Sequence, residues 1–63
     1  MAQRIRAFRK LKGLTQQELA AQTGISLAVL GAIERGNRHA EEQILIKIAD
    51  TLDITIQELK ERN

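Results

Sequence analysis

Sixty-three residues with a net charge of +2 and no cysteine allow one small domain and exclude disulfide or thiolate-metal staples. A single aromatic residue, Phe8, makes the core aliphatic, while the absence of proline and the abundance of Leu, Ile, Ala, Glu, Lys and Gln favour helix throughout. Apolar runs such as Ile44-Leu45-Ile46 are far too short to span a membrane, and no apolar signal region follows Met1, so an intracellular, cytoplasmic, all-α protein is expected.

In chain order, the spacing predicts a first helix over residues 2–12, with Ile5, Phe8 and the stem of Lys12 on one stripe and Gly13 as a left-handed stop. Thr15 caps a second helix over 16–22, and Glu18 three residues later completes a capping-box pattern. Leu19 and Ala20 face inward there, and Gly24 closes the helix. Ser26 caps a third helix that runs to Arg35, with Val29, Leu30 and Ile33 inward and Gly36 at its end. The fourth helix covers 41–52 and gathers Ile44, Leu45, Ile48, Ala49 and Leu52 on one face. Its start lacks a strong cap, although Glu41 and Glu42 suit the positive end of the helix dipole. A fifth helix covers 55–61, starting at Thr55, with Ile56 and Leu59 apolar.

The corner "QTGIS" between the second and third helices is so short that the two must cross steeply, as in a helix-turn-helix. Ala20 is small where the helices approach, Gly24 can adopt positive φ, and Ile25, Leu30 and Ile33 plug the wedge. Charge is also polarised: residues 1–39 carry seven Lys and Arg against two Glu, a balance of +5, and residues 40–63 carry −3. That distribution suits a domain presenting one end to a polyanion, although small domains also become lopsided by chance.

Taken jointly, "KGLTQQELA", "GIS", "IERG" and "KIADTL" make the chain resemble the Cro/cI-type helix-turn-helix domain of phage repressors and bacterial regulators, the xenobiotic-response-element class, over about residues 4–60. The resemblance implies a five-helix, lambda-repressor-like domain with its third helix in the major groove of double-stranded DNA and the N-terminus of the second helix on a phosphate. It implies a transcriptional regulator, a repressor, acting as a homodimer on a palindromic operator. Such a protein would be bacterial or phage-encoded and associated with the nucleoid. Gln16 matches the helix-2 glutamine that contacts phosphate and braces the reading helix, and Gln17 beside it is exposed at the same terminus. Arg35, Asn37 and Arg38 fall where the family touches phosphates, with ordinary solvated surface as the alternative. Arg9 and Glu34 match a structural salt bridge, while Arg4, Arg6 and Lys10 add nonspecific attraction at most. The dimer contact implied by the family involves the C-terminal helices, which makes Ile46 and Ile56 its candidates.

The reading face departs from the pattern. In the register the resemblance implies, the groove would be faced by Ser26, Leu27, Ala28, Gly31, Ala32 and Arg35, with Ser26 suited equally to capping and to touching DNA. Leu27 and Ala28 carry no hydrogen-bonding group but can touch thymine methyls, and the bare Gly31 would let the helix backbone approach the bases. Ala40 stands where the family has proline, so the loop before the fourth helix is expected to be less rigid. The same apolar face also fits a protein–protein interaction module or an antitoxin-like partner binder. His39 is alone, without cysteine or paired carboxylates at ligand spacing, and Ser26 has no base in a nucleophile motif. No enzyme, metal, cofactor or small-molecule ligand is inferred.

Overall fold

The computed structural model describes residues 2–60 and folds them into α1 (Ala2–Leu11), α2 (Gln16–Thr23), α3 (Leu27–Glu34), α4 (Glu42–Leu52) and α5 (Ile56–Lys60), with no strand among the described residues. Each described helix end lies within one residue of its predicted place, the ordinary uncertainty of a fraying terminus. Glu61, the predicted end of the fifth helix, lies outside the described residues.

Local chemistry sets the ends. Thr15 Oγ1 accepts the Glu18 N–H at 3.1 Å, and Glu18 Oε1 accepts the Thr15 N–H at 2.7 Å, which satisfies two orphan donors of α2. The same box recurs at Thr55 and Glu58, with bonds of 3.1 and 3.0 Å, so Thr55 caps α5 from outside it rather than beginning it. In each box the threonine backbone N–H, followed by its hydroxyl, holds the glutamate carboxyl below the usual carboxylate range. Ser26 Oγ accepts the Val29 N–H at 3.1 Å and caps α3. The start of α4 at Glu41 has no side-chain cap. Its end uses Asp53 at φ 59°, a left-handed position that a short polar residue tolerates.

Every helix contributes to one core: Ile5 from α1, Leu19 and Ala20 from α2, Leu30 and Ile33 from α3, Leu45, Ile48, Ala49 and Leu52 from α4, and Leu59 from α5. The α1 stripe is corrected by the structure. Arg9, one turn after Ile5, is the buried neighbour, whereas Lys12 lies past the helix end and is exposed. Phe8 is half-buried at the edge of the core, with the Arg4 guanidinium 5.5 Å from its ring centroid. Arg4 Nε also donates to the Glu58 carbonyl and ties α1 to α5.

The α2–α3 corner is Gly24-Ile25-Ser26. Gly24 sits at φ 75°, where a Cβ would be strained, and the Gly24 and Ile25 N–H groups both donate to the Ala20 carbonyl. Thr23 is buried beside them and donates its hydroxyl back to the Leu19 carbonyl at 2.8 Å. Ala40, in the loop before α4, is also a core residue.

Candidate nucleic-acid interface

Arg9 and Glu34 join α1 to the end of α3. Arg9 Nε donates to Glu34 Oε2 at 2.8 Å and Arg9 Nη2 to Oε1 at 3.1 Å, a two-pronged pair with side chains only 10% and 3% exposed. Arg9 Nη1 donates to the Leu14 carbonyl at 2.9 Å and so anchors the segment entering α2. Gln16, the first residue of α2, donates from Nε2 to Glu34 Oε1 at 3.2 Å. One carboxylate therefore fixes α1, the N-terminus of α2 and the C-terminus of α3 to one another.

An open groove of about 480 Å³ lies over this junction, lined by Arg6, Arg9, Leu14, Thr15, Gln16, Glu34 and Arg35. The Arg9 charge is matched by Glu34, so Arg6 and Arg35, both exposed, supply the groove's outward cations. Helix geometry leaves the backbone N–H groups of Gln16 and Gln17 without intrahelical acceptors at the positive end of the α2 dipole. A helix N-terminus that brings Gln16 to the opening, with two cations lining it, is the chemistry of an oxyanion site. The sequence assigns Arg6 nonspecific attraction at most, whereas the structure places it on the groove wall. Its one local signal was its position three residues before Arg9 on the same helix.

All the predicted contact residues but Ala32 fall into three groups. Gln16 and Arg35 line the groove and meet over Gly31, with Gln17 exposed at the same helix end. Ser26, Leu27 and Ala28 form the exposed N-terminal end of α3, with Leu27 42% exposed. The Ser26 cap uses an oxygen lone pair, which leaves its hydroxyl proton able to donate outward. Asn37 and Arg38 are exposed in the following loop, where the Gly36 and Asn37 N–H groups close α3 on the Ile33 and Ala32 carbonyls. Ala32 is half-buried.

Gly31 requires a correction. It is buried, not a bare notch in the outer face, because Arg35 and Gln16 cover it: a Cβ built there would lie 3.1 Å from Arg35 Nη1 and 3.6 Å from Gln16 Oε1. Of the C-terminal candidates, Ile46 is 42% exposed on α4, whereas Ile56 is half-buried against the core.

A helix-turn-helix family model matches residues 5–59, which span all five helices apart from the first residues of α1 and the last of α5. The chain belongs to the helix-turn-helix family. This helix-turn-helix chain is 55% identical over 56 residues to the uncharacterised HTH-type transcriptional regulator YazB of Bacillus subtilis strain 168, covering 89% of the chain and 81% of YazB. Among solved structures it is similar to the restriction-modification controller protein C.AhdI of Aeromonas hydrophila, with a TM-score of 0.89 and 40% identity over 92% of this chain and 88% of that one. It is equally similar in fold to SinR, the master regulator for biofilm formation, solved in complex with DNA. There the TM-score is 0.89 and the identity 35%, over 94% of this chain and 98% of that one. Against the full SinR of Bacillus subtilis strain 168, also 35% identical, the chain spans 54% of the relative's length. These relatives place the helix-turn-helix chain among regulators of transcription, not among enzymes. No helix among the described residues is long and apolar enough to cross a membrane.

Proposed function

We propose that this helix-turn-helix chain binds double-stranded DNA as a transcriptional regulator, a repressor, with α3 in the major groove and the N-terminus of α2 against a phosphate. A place in the cytoplasm, at the nucleoid, goes with that partner. The observation that carries the reading is the Glu34 junction, which fixes Gln16 at the α2 N-terminus, beside a groove that Arg6 and Arg35 also line. The solved structure of the similar SinR in complex with DNA supports it. Phosphate contacts release counterions, so affinity should fall with salt at a log–log slope of about −0.9 per neutralised phosphate. Titrations of duplex DNA at several salt concentrations test this, and no binding at low salt ends it.

At the N-terminal end of α3, Leu27 and Ala28 favour readout by thymine methyls and shape over hydrogen bonds to base edges. Replacing preferred thymines by uracil removes only the methyl; if that is silent at every position of a selected site, the exposed Leu27 face is better read as a protein-binding surface. We further propose a homodimer on a palindromic operator. The domain measures 26 × 23 × 19 Å, so two copies side by side can set their α3 helices about 34 Å apart, one turn of duplex, only if those helices lie away from the shared face. Exposed Ile46 on α4 is then the leading apolar contact, with Ile56 beneath it in rank because the core already covers part of it. Selection of bound sequences from random duplexes would reveal paired half-sites. Unpaired sites bound one to one would remove the dimer.

A further inference from the structure

We propose that Gly31 is a positioning residue for DNA binding: its missing side chain seats the Arg35 guanidinium beside the Gln16 carboxamide and so delivers one cation to the phosphate at the α2 N-terminus. The proposal rests on the DNA reading above. A glycine inside a helix is unfavourable relative to alanine, and Gly31 is not among the residues with positive φ, so the backbone does not require it. What it provides is space. Arg35 lies one turn further on, and helical side chains lean toward the N-terminus, which carries its long arm back over residue 31. There Nη1 and Gln16 Oε1 occupy the two nearest positions to an imagined Cβ, at 3.1 and 3.6 Å. Gln16 cannot yield freely, because its amide is held by Glu34. The exposed Arg35 arm can. An alanine at 31 therefore keeps the helix and displaces the cation.

The test is a double-mutant cycle on duplex DNA with Gly31→Ala, Arg35→Ala and the double variant, each checked as folded by thermal unfolding. Gly31→Ala should weaken binding by about three- to tenfold, a partial loss of one charge-assisted contact because the arm is displaced and not deleted, and flatten the log–log salt slope by up to about 0.9. In the Arg35→Ala background the same substitution should change affinity by less than about twofold. Unchanged affinity for Gly31→Ala, or an equal loss with and without Arg35, overturns the proposal. A wild type that binds no duplex at low salt refutes the DNA reading instead. The seat is read independently by NMR: contacts from the Arg35 Hδ protons to Gly31 Hα are expected in the free wild type, and their absence overturns the seat whatever the DNA result.

Discussion

Replacing Glu34 by alanine removes three hydrogen bonds at once, two from Arg9 and one from Gln16. Arg9, 8% exposed in the wild type, would keep its bond to the Leu14 carbonyl and lose both to the carboxylate. Breaking a buried pair by deleting one partner costs about 3–5 kcal/mol, whereas an exposed pair is worth about 0–1 kcal/mol. With side chains 10% and 3% exposed, this pair belongs near the lower end of the buried range, and we expect a loss of about 3 kcal/mol. For a domain of this size that corresponds to a fall in Tm of about 12–24 °C. Urea unfolding followed by circular dichroism gives the free energy directly, and an unchanged m-value would show that the same surface is being exposed. A control separates charge burial from packing: Arg9→Met combined with Glu34→Leu should recover most of the loss, because apolar residues of similar volume do not leave an uncompensated ion. A loss below about 1 kcal/mol for Glu34→Ala would show that solvent supports the pair and that the three helices are not locked through it.

Gly31→Ala should stabilise the fold by up to about 1 kcal/mol, since the only tight contact of the new Cβ is the flexible Arg35 arm; destabilisation in urea unfolding would show that the arm cannot move. Glu18 and Glu58 have folded pKa values below their unfolded ones, so their capping contribution is present above the usual carboxylate range and disappears as pH falls through the lowered values. Glu18→Gln should accordingly flatten the acid side of a plot of Tm against pH, and an unaltered acid limb would contradict that assignment. Ile46→Asp should leave the monomer folded, because Ile46 is 42% exposed, while reducing two-chain complexes on a palindromic duplex in sedimentation; an undiminished two-chain species would move the contact elsewhere.

The features legible in the sequence were those written in local chemistry. Thr15 with Glu18, Ser26, and the glycines at 13, 24 and 36 each declare a helix end within four residues of themselves, and the structure shows all of them there. The Thr55–Glu58 box follows the same rule, and the start predicted at Thr55 falls one residue early because Thr55 is the cap outside the helix. Asp53 was illegible as a stop because left-handed backbone is only tolerated by Asp, not signalled by it. Arg9 and Glu34 stand 25 residues apart, a separation no periodicity rule spans, so the pair came only through family resemblance. Gly31 was misplaced for a different reason. Arg35 shares its face at i+4, but the rest of its cover is Gln16 arriving from another helix, which a helical wheel does not contain.

The central claim, that DNA meets this domain on the face where α2 begins and α3 runs, is tested most directly by an NMR titration of the isotope-labelled chain with duplex DNA. The account predicts amide shifts concentrated at Gln16, Gln17, Ser26, Leu27, Ala28 and Arg35 to Arg38, with side-chain shifts at Gln16 and Arg35 and little change at Ala7, Leu11 or Asp50. Shifts centred instead on the exposed side of α1 around Leu11, or on the outer side of α4, with Gln16 and Arg35 unmoved, would contradict it.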